Sequence, residues 1–144
     1  MIRLFFIVCV FILVCGCTEV PDNAVTLDVN FEWTKESYCT NVSPPITVTN
    51  IPEETKYFRV RMVDLNLFRM DHGECEVPYT GLKTISEGAI LPFLGPCPEG
   101  PHSSYEITVQ ALSADKKLIL GHGKAVRKYP AGNATAIYPK LKAP

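Results

Sequence analysis

Alternation of apolar and polar residues dominates the chain beyond residue 24. In "VTLDVNFEW", Val25, Leu27, Val29, Phe31 and Trp33 alternate with Thr26, Asp28, Asn30 and Glu32, the period of two that marks a half-buried strand. "YFRVRMVDL" repeats the pattern, with Phe58, Val60 and Met62 opposite Arg59 and Arg61. "YEITVQAL" does the same, setting Tyr105, Ile107, Val109 and Ala111 against Glu106, Thr108 and Gln110. "ITVTN", "ECEVPYT" and "KTISEG" are shorter β-prone pieces, and "KLILGHGKAVRKY" predicts the last long strand. No stretch carries a helical stripe, and turns rich in proline, glycine and asparagine separate the strands. The pattern predicts an all-β sandwich over residues 25–130.

Two stretches resist strand formation. In "TKESYCTNVSPP" the pair Pro44 and Pro45 stops any ladder, and "GPCPEGPH" (residues 95–102) holds three prolines and two glycines in eight positions. Proline gives up its N–H and fixes φ, so both read as stiff loops. The tail, residues 131–144, reads as extended or frayed.

The N-terminus has a different character. Arg3 precedes the apolar run "LFFIVCVFILV", short for a bilayer span but suited to a signal-peptide core. The run ends in "VCGC", and Val14, Cys15, Gly16 and Cys17 resemble the lipobox of bacterial lipoproteins. That resemblance implies cleavage of residues 1–16, lipidation of Cys17 and a polar spacer through residue 24. An uncleaved anchor or an ordinary secretory signal are the alternatives. Thr18 and Glu19 do not look like an inner-membrane retention signal, so the expected place is the outer membrane, facing the periplasm. Cys39, Cys75 and Cys97 then remain in an oxidising space, and three cysteines allow one internal bridge at most.

Composition narrows the function by exclusion. The 144 residues carry a formal net charge of −1, without the basic stripe that phosphate backbones require, which argues against nucleic acid. No G-x-S-x-G elbow is present, and Ser103 and Ser104 beside His102 lack an obvious orienting acid, so no enzyme is expected. "DHGEC" offers Asp71, His72, Glu74 and Cys75 as metal-ligand types, but not at a recognised zinc spacing. Neither a metal nor another cofactor is expected.

One residue breaks its own pattern. Counting by two along the second long strand places Asp64 on the apolar face after Met62. An inward carboxylate is costly unless it is paired, hydrogen-bonded or at a pocket mouth; aspartate also ends strands by capping the next turn. Tyr105 poses the same question, since its hydroxyl needs a partner or water. His72 and His102 lie in loops beside strands. Two histidines and an aspartate around a cavity would suit a small anion or polar head group, whereas a lone loop histidine is usually just solvated.

Two blocks carry a wider resemblance. "CTNVSPPITVTNIPEETKYFRVRMVD" and "GPCPEGPHSSYEITVQALSAD" are similar, in the same order, to the hallmark stretches of the phosphatidylethanolamine-binding family, also called the Raf kinase inhibitor-like family. The matches span most of residues 37 to 115. The resemblance implies an antiparallel β-sandwich with Greek-key connections. It also implies a small pocket for phosphate-like or carboxylate-like anions and phospholipid head groups. Carried over, its polar residues are Asp64, His72, His102 and Tyr105, with Gly95, Pro96 and Pro98 as wall.

This sequence departs from the family pattern at several points. The family's D-P-D-x-P reads "DLNLF", with Asn66 and Phe68 in place of the second acid and last proline. "HSSY" sets His102 three residues before Tyr105 rather than two, so either His102 or Ser103 takes the family histidine position. "HGECEVPYTG" replaces the family's aromatic strand, which makes His72 a softer match than Asp64. Exported members carry cysteines at the positions of Cys39 and Cys97, which implies a bridge between them; Cys75 with Cys97 is the rival pairing. The expected function is a lipid-anchored, non-catalytic binding protein, the alternatives being a protein inhibitor or regulator and an envelope structural protein with a degenerate pocket.

Overall fold

A computed structural model describes residues 19–98 and 102–129. The expected signal peptide, the lipidation site Cys17 and the tail 131–144 lie outside the described residues. Eight strands form within them. They are β1 (Val25–Thr26), β2 (Asp28–Phe31), β3 (Ile46–Thr49), β4 (Tyr57–Asp64), β5 (Met70–Pro78), β6 (Thr84–Ile85), β7 (Ser103–Leu112) and β8 (Ile119–Tyr129), with one 3-10 turn at Lys35–Ser37. The larger sheet has the order β1-β8-β7-β4-β5 and the smaller one β2-β3-β6. The fold is therefore the all-β architecture that the alternation predicts.

"VTLDVNFEW", expected as one strand, is two. Val25 and Thr26 pair in parallel with Gly121 and His122 of β8, whereas Asp28–Phe31 pair antiparallel with Thr49–Ile46 of β3. The crossing residue Leu27 is buried, and its N–H donates to the His122 carbonyl at 3.0 Å. The apolar alternation runs on through this switch of sheets, but only Leu27 and Phe31 are buried and Val29 half-buried, while Val25 in β1 stays exposed. Trp33 lies beyond β2 and packs edge-on against Phe31, Tyr105 and Tyr129 at 5.0, 5.8 and 5.9 Å.

The core lies between the sheets. Phe58, Val60 and Met62 of β4 and Tyr105, Ile107, Val109 and Ala111 of β7 face Phe31, Ile46, Val48 and Ile85. After β5 the chain crosses to β6 in the small sheet and returns as β7 beside β4, a Greek-key return. That return makes Asp64 and Tyr105 cross-strand neighbours at the end of the sheet where Ser103 pairs with Tyr129.

The other face of the large sheet is charged. Arg59 donates to Glu76 at 2.7 Å. Glu106, almost fully buried, accepts from Arg69 at 2.8 Å and Lys124 at 3.1 Å. Burial pushes the Glu106 carboxyl upward, but the bonds from Arg69 and Lys124 outweigh that and hold it below its ordinary value.

Candidate functional site: a pocket at the end of the sandwich

Asp64 is the last residue of β4 and stays in phase with Phe58, Val60 and Met62, so its carboxylate enters the interior with 1 % of its surface exposed. Oδ1 accepts three donors: Asn66 N–H at 2.7 Å, Leu67 N–H at 3.2 Å and Ser103 Oγ at 2.7 Å. Both sequence readings of Asp64 therefore hold together. It caps the β4–β5 turn and still lines a cavity.

His72 reaches the same cavity through a β-bulge. In the β4–β5 ladder Met62 pairs with Gly73 and Val63 with Asp71, which leaves His72 as the extra residue. A bulge re-aims a side chain: His72 turns inward and is buried, while Asp71 is exposed. Asp71 turns back to the Gly73 N–H at 3.1 Å and toward Arg61 at 3.6 Å. The imidazole is fixed by the following loop. Nδ1 lies 2.7 Å from the Leu94 carbonyl, and the Leu94 N–H donates to the His72 carbonyl at 2.8 Å. Gly73 permits this approach, because its φ is +134° and a Cβ there would run into the Pro92 carbonyl.

Tyr105 opposes Asp64 in register and stacks edge-on against His72, ring centroids 5.2 Å apart. Its hydroxyl interacts with both Asp64 and Ser103. Burial first, and the Asp64 charge second, push its ionisation far above the usual tyrosine range, so it stays a neutral hydroxyl.

The wall is two loops held together. Cys39 and Cys97 form a disulfide, the Cys39 N–H donates to the Pro96 carbonyl at 2.9 Å, and the Gly95 N–H donates to the Thr40 carbonyl at 2.7 Å. A Cβ on Gly95 would lie 2.7 Å from the Thr40 oxygen and 2.9 Å from the Ser37 oxygen, so only glycine allows the contact. Among the described residues Cys75 is the free cysteine; its Sγ donates to the Ala89 carbonyl at 3.3 Å.

These parts enclose a cavity of about 220 Å³, room for roughly seven waters at ~30 Å³ each. Asp64, His72, Tyr105, Gly95 and both half-cystines line it, with Thr40, Leu67, Met70 and Leu94. His102 does not line it and is exposed. Ser103 opens β7 and is buried in the phase of Tyr105, whereas His102 lies just before the strand. Pro96 is buried behind the wall and Pro98 is half-buried; neither lines the cavity.

Leu67, Met70 and Leu94 were not expected at the site. They form a partly exposed apolar rim beside Phe68, which is fully exposed. Their only sequence signal is position, next to Asp64, His72 and Gly95.

Solved structures share this arrangement of strands. A putative phosphatidylethanolamine-binding protein homologue from Chlamydia trachomatis superposes with a TM-score of 0.56 at 17% identity, over 76% of this chain and 99% of that one. YbcL of E. coli, a new member of the mammalian PEBP family, superposes with a TM-score of 0.58 at 18% identity, over 73% of this chain and 98% of that one. The fold is that of the phosphatidylethanolamine-binding proteins. The resemblance read from "SPP" and "GPCP" and the phosphatidylethanolamine-binding-protein fold therefore agree. No family model matches the sequence, and no curated protein matches it either.

Proposed function

We propose that the chain is a lipid-anchored, non-catalytic binding protein of the cell envelope whose end pocket holds the polar part of a small ligand, such as a phospholipid head group. The observation that carries this reading is the buried polar trio Asp64, His72 and Tyr105 at the floor of an open cavity. Polar groups are buried at a cost, and here they converge on one concave site with an apolar rim, the usual build of a small-ligand pocket. The non-catalytic part of this reading rests on the sequence, which carries no G-x-S-x-G elbow.

Anchoring rests on the lipobox-like "VCGC", and the outer membrane, facing the periplasm, is the proposed location. Metabolic labelling with an alkyne fatty acid tests this: the wild-type chain should take the label and a Cys17→Ser chain should not. Calorimetric titration of the full chain with phosphoethanolamine tests the pocket. Saturable heat that disappears in Asp64→Ala supports it, and heat unchanged by that substitution sinks it.

A second reading, an inhibitor or regulator that docks on protein, is favoured by the exposed Leu67, Phe68, Met70 and Leu94 around the mouth. Losing Asp64 should then abolish small-ligand binding and spare the protein contact.

A further inference from the structure

The outer face of the large sheet carries a second concavity. Asp64 points into the sandwich, so Arg59, Arg61 and Val63 of the same strand point out, beside Gln110, Thr108 and Glu106 of β7. Three arginines and one glutamate, Arg59, Arg61, Arg69 and Glu74, line a groove of about 310 Å³ there, with Val63 and Thr108. Arg59 is committed, donating to Glu76 at 2.7 Å and to Gln110 at 3.4 Å. Arg69 donates to Glu106 at 2.8 Å. Arg61 is different. Asp71 and Glu74 each stand 3.6 Å from its guanidinium, beyond hydrogen-bond length, so its fork of N–H donors is open among the described residues.

The turn that supplies Arg69 is strained. Phe68 and Arg69 have φ of +47° and +57°, and the Met70 N–H donates to the Leu67 carbonyl at 2.7 Å. A turn with two left-handed central residues normally takes Asn-Gly, because bulky side chains are disfavoured in that region. Asp64 holds this turn from inside through the Asn66 and Leu67 N–H groups, and Glu106 holds it from outside through Arg69. Strain that the surroundings enforce is characteristic of functional sites. Its product here is a fully exposed Phe68 at the apex, next to a groove of arginines.

We propose that the outer groove and the Phe68 tip form a docking surface for a segment of another protein that carries an acidic side chain beside an apolar one. Arg61 pairs with the carboxylate through its open fork, Arg59 and Arg69 add positive charge, and Phe68 is the apolar anchor. Arginine and aromatic side chains are enriched in protein interfaces. Charge complementarity selects this occupant, since the charges lining the groove are mostly cationic. Residues 131–144 carry Lys140 and Lys142 and no acidic side chain, so the tail of this chain does not complement it. The surface shares Phe68 with the docking reading above but lies on the outer face of the sheet, and it does not rest on what the end pocket binds.

A library of random peptides displayed on phage, selected on the full chain in a neutral detergent, is the probe. Enriched peptides should share an acidic residue next to an apolar one. Their affinity, read by fluorescence anisotropy, should fall at least about tenfold in Arg61→Gln and in Phe68→Ala. Lys83→Gln removes the same charge from an exposed residue beside the small sheet and should leave the affinity unchanged. Phe68→Gly relieves the left-handed strain, so it should raise the urea midpoint while weakening the peptides as much as Phe68→Ala. A turn with only a structural role would not exchange binding for stability in this way. Enriched peptides that lack an acid, or that bind the Arg61→Gln chain as well as wild type, would overturn the outer groove and leave docking at the pocket mouth standing. Enrichment of nothing would overturn both docking readings and leave the end pocket untouched.

Discussion

Ser103 Oγ lies 2.7 Å from Asp64 Oδ1 and donates to it, a bond between residues on two strands that other residues hold in register. The hydroxyl also approaches the Asn66 side-chain oxygen at 3.3 Å, and that oxygen accepts the Ser104 N–H at 2.7 Å. The start of β7 is thereby stitched to the β4–β5 turn, and the pocket floor depends on the stitch.

Ser103→Ala removes one of three donors from a buried carboxylate oxygen. Hydrogen bonds to charged groups contribute about 1.5–3 kcal/mol, and two backbone donors remain, so a loss near the lower end is expected. Urea denaturation should show an earlier midpoint with an unchanged slope. A midpoint identical to wild type would mean that the bond contributes nothing.

Much of this site is legible in the sequence, for physical reasons. Asp64 stands out because a period of two carries a carboxylate onto the apolar face, and the strand keeps that phase to its last residue. Tyr105 follows by the same count. The count also separates Ser103 from His102, since only Ser103 shares the phase of Tyr105. Other features are invisible to periodicity. The bulge at His72 adds a residue that no alternation announces, and the sheet switch at Leu27 leaves the apolar pattern intact. The rim residues Leu67, Met70 and Leu94 owe their place to chain geometry around the turn rather than to any spacing.

The disulfide should be a large single contributor to stability. Cys39 and Cys97 are separated by 58 positions, and closing a loop of that size is worth about 4 kcal/mol in the chain-entropy model, with 2–4 kcal/mol typical. A Cys39→Ala/Cys97→Ala chain should melt on the order of 10 °C lower. Non-reducing peptide mapping of the wild type should recover the Cys39–Cys97 pair with Cys75 unlinked. Recovery of a Cys75–Cys97 peptide would refute the pairing.

Gly73 and Gly81 both have positive φ, +134° and +86°, but a Cβ on Gly81 would meet nothing within 4 Å while one on Gly73 would strike the Pro92 carbonyl. Gly81→Ala should therefore cost only conformational strain, about 1 kcal/mol. Gly73→Ala adds a clash with backbone and should cost clearly more, displacing the loop that holds His72. Equal denaturation midpoints for the two variants would contradict this ordering.

Stability should fall in acid, and Glu106 should account for part of the fall. Its carboxyl is held below the ordinary 4.5 in the fold, burial being outweighed by Arg69 and Lys124. A depressed folded value means that the unfolded chain binds the proton more readily. The stabilisation is complete above the unfolded value and drains away as pH drops through about 4.5 toward the lower folded one. Glu106→Gln should be less stable at pH 7 and show a shallower decline in that window. A decline as steep as that of wild type would assign the acid sensitivity elsewhere.

Cys75 should behave as a protected thiol in spite of being unpaired. Burial raises its ionisation first; the Leu91 backbone pulls the other way, and the charges of Glu74 and Glu76 add to the rise. Since the thiolate is the nucleophile, a value above the ordinary 9.0 leaves little of it at pH 7.5. The Sγ donation to the Ala89 carbonyl also ties the sulfur to the loop between β6 and β7. Iodoacetamide should therefore label the native chain at least about tenfold more slowly than the urea-unfolded chain. The native rate should climb with pH well beyond 9, where the thiolate finally forms. Equal rates in the two states at pH 7.5 would show that burial is not what controls this sulfur.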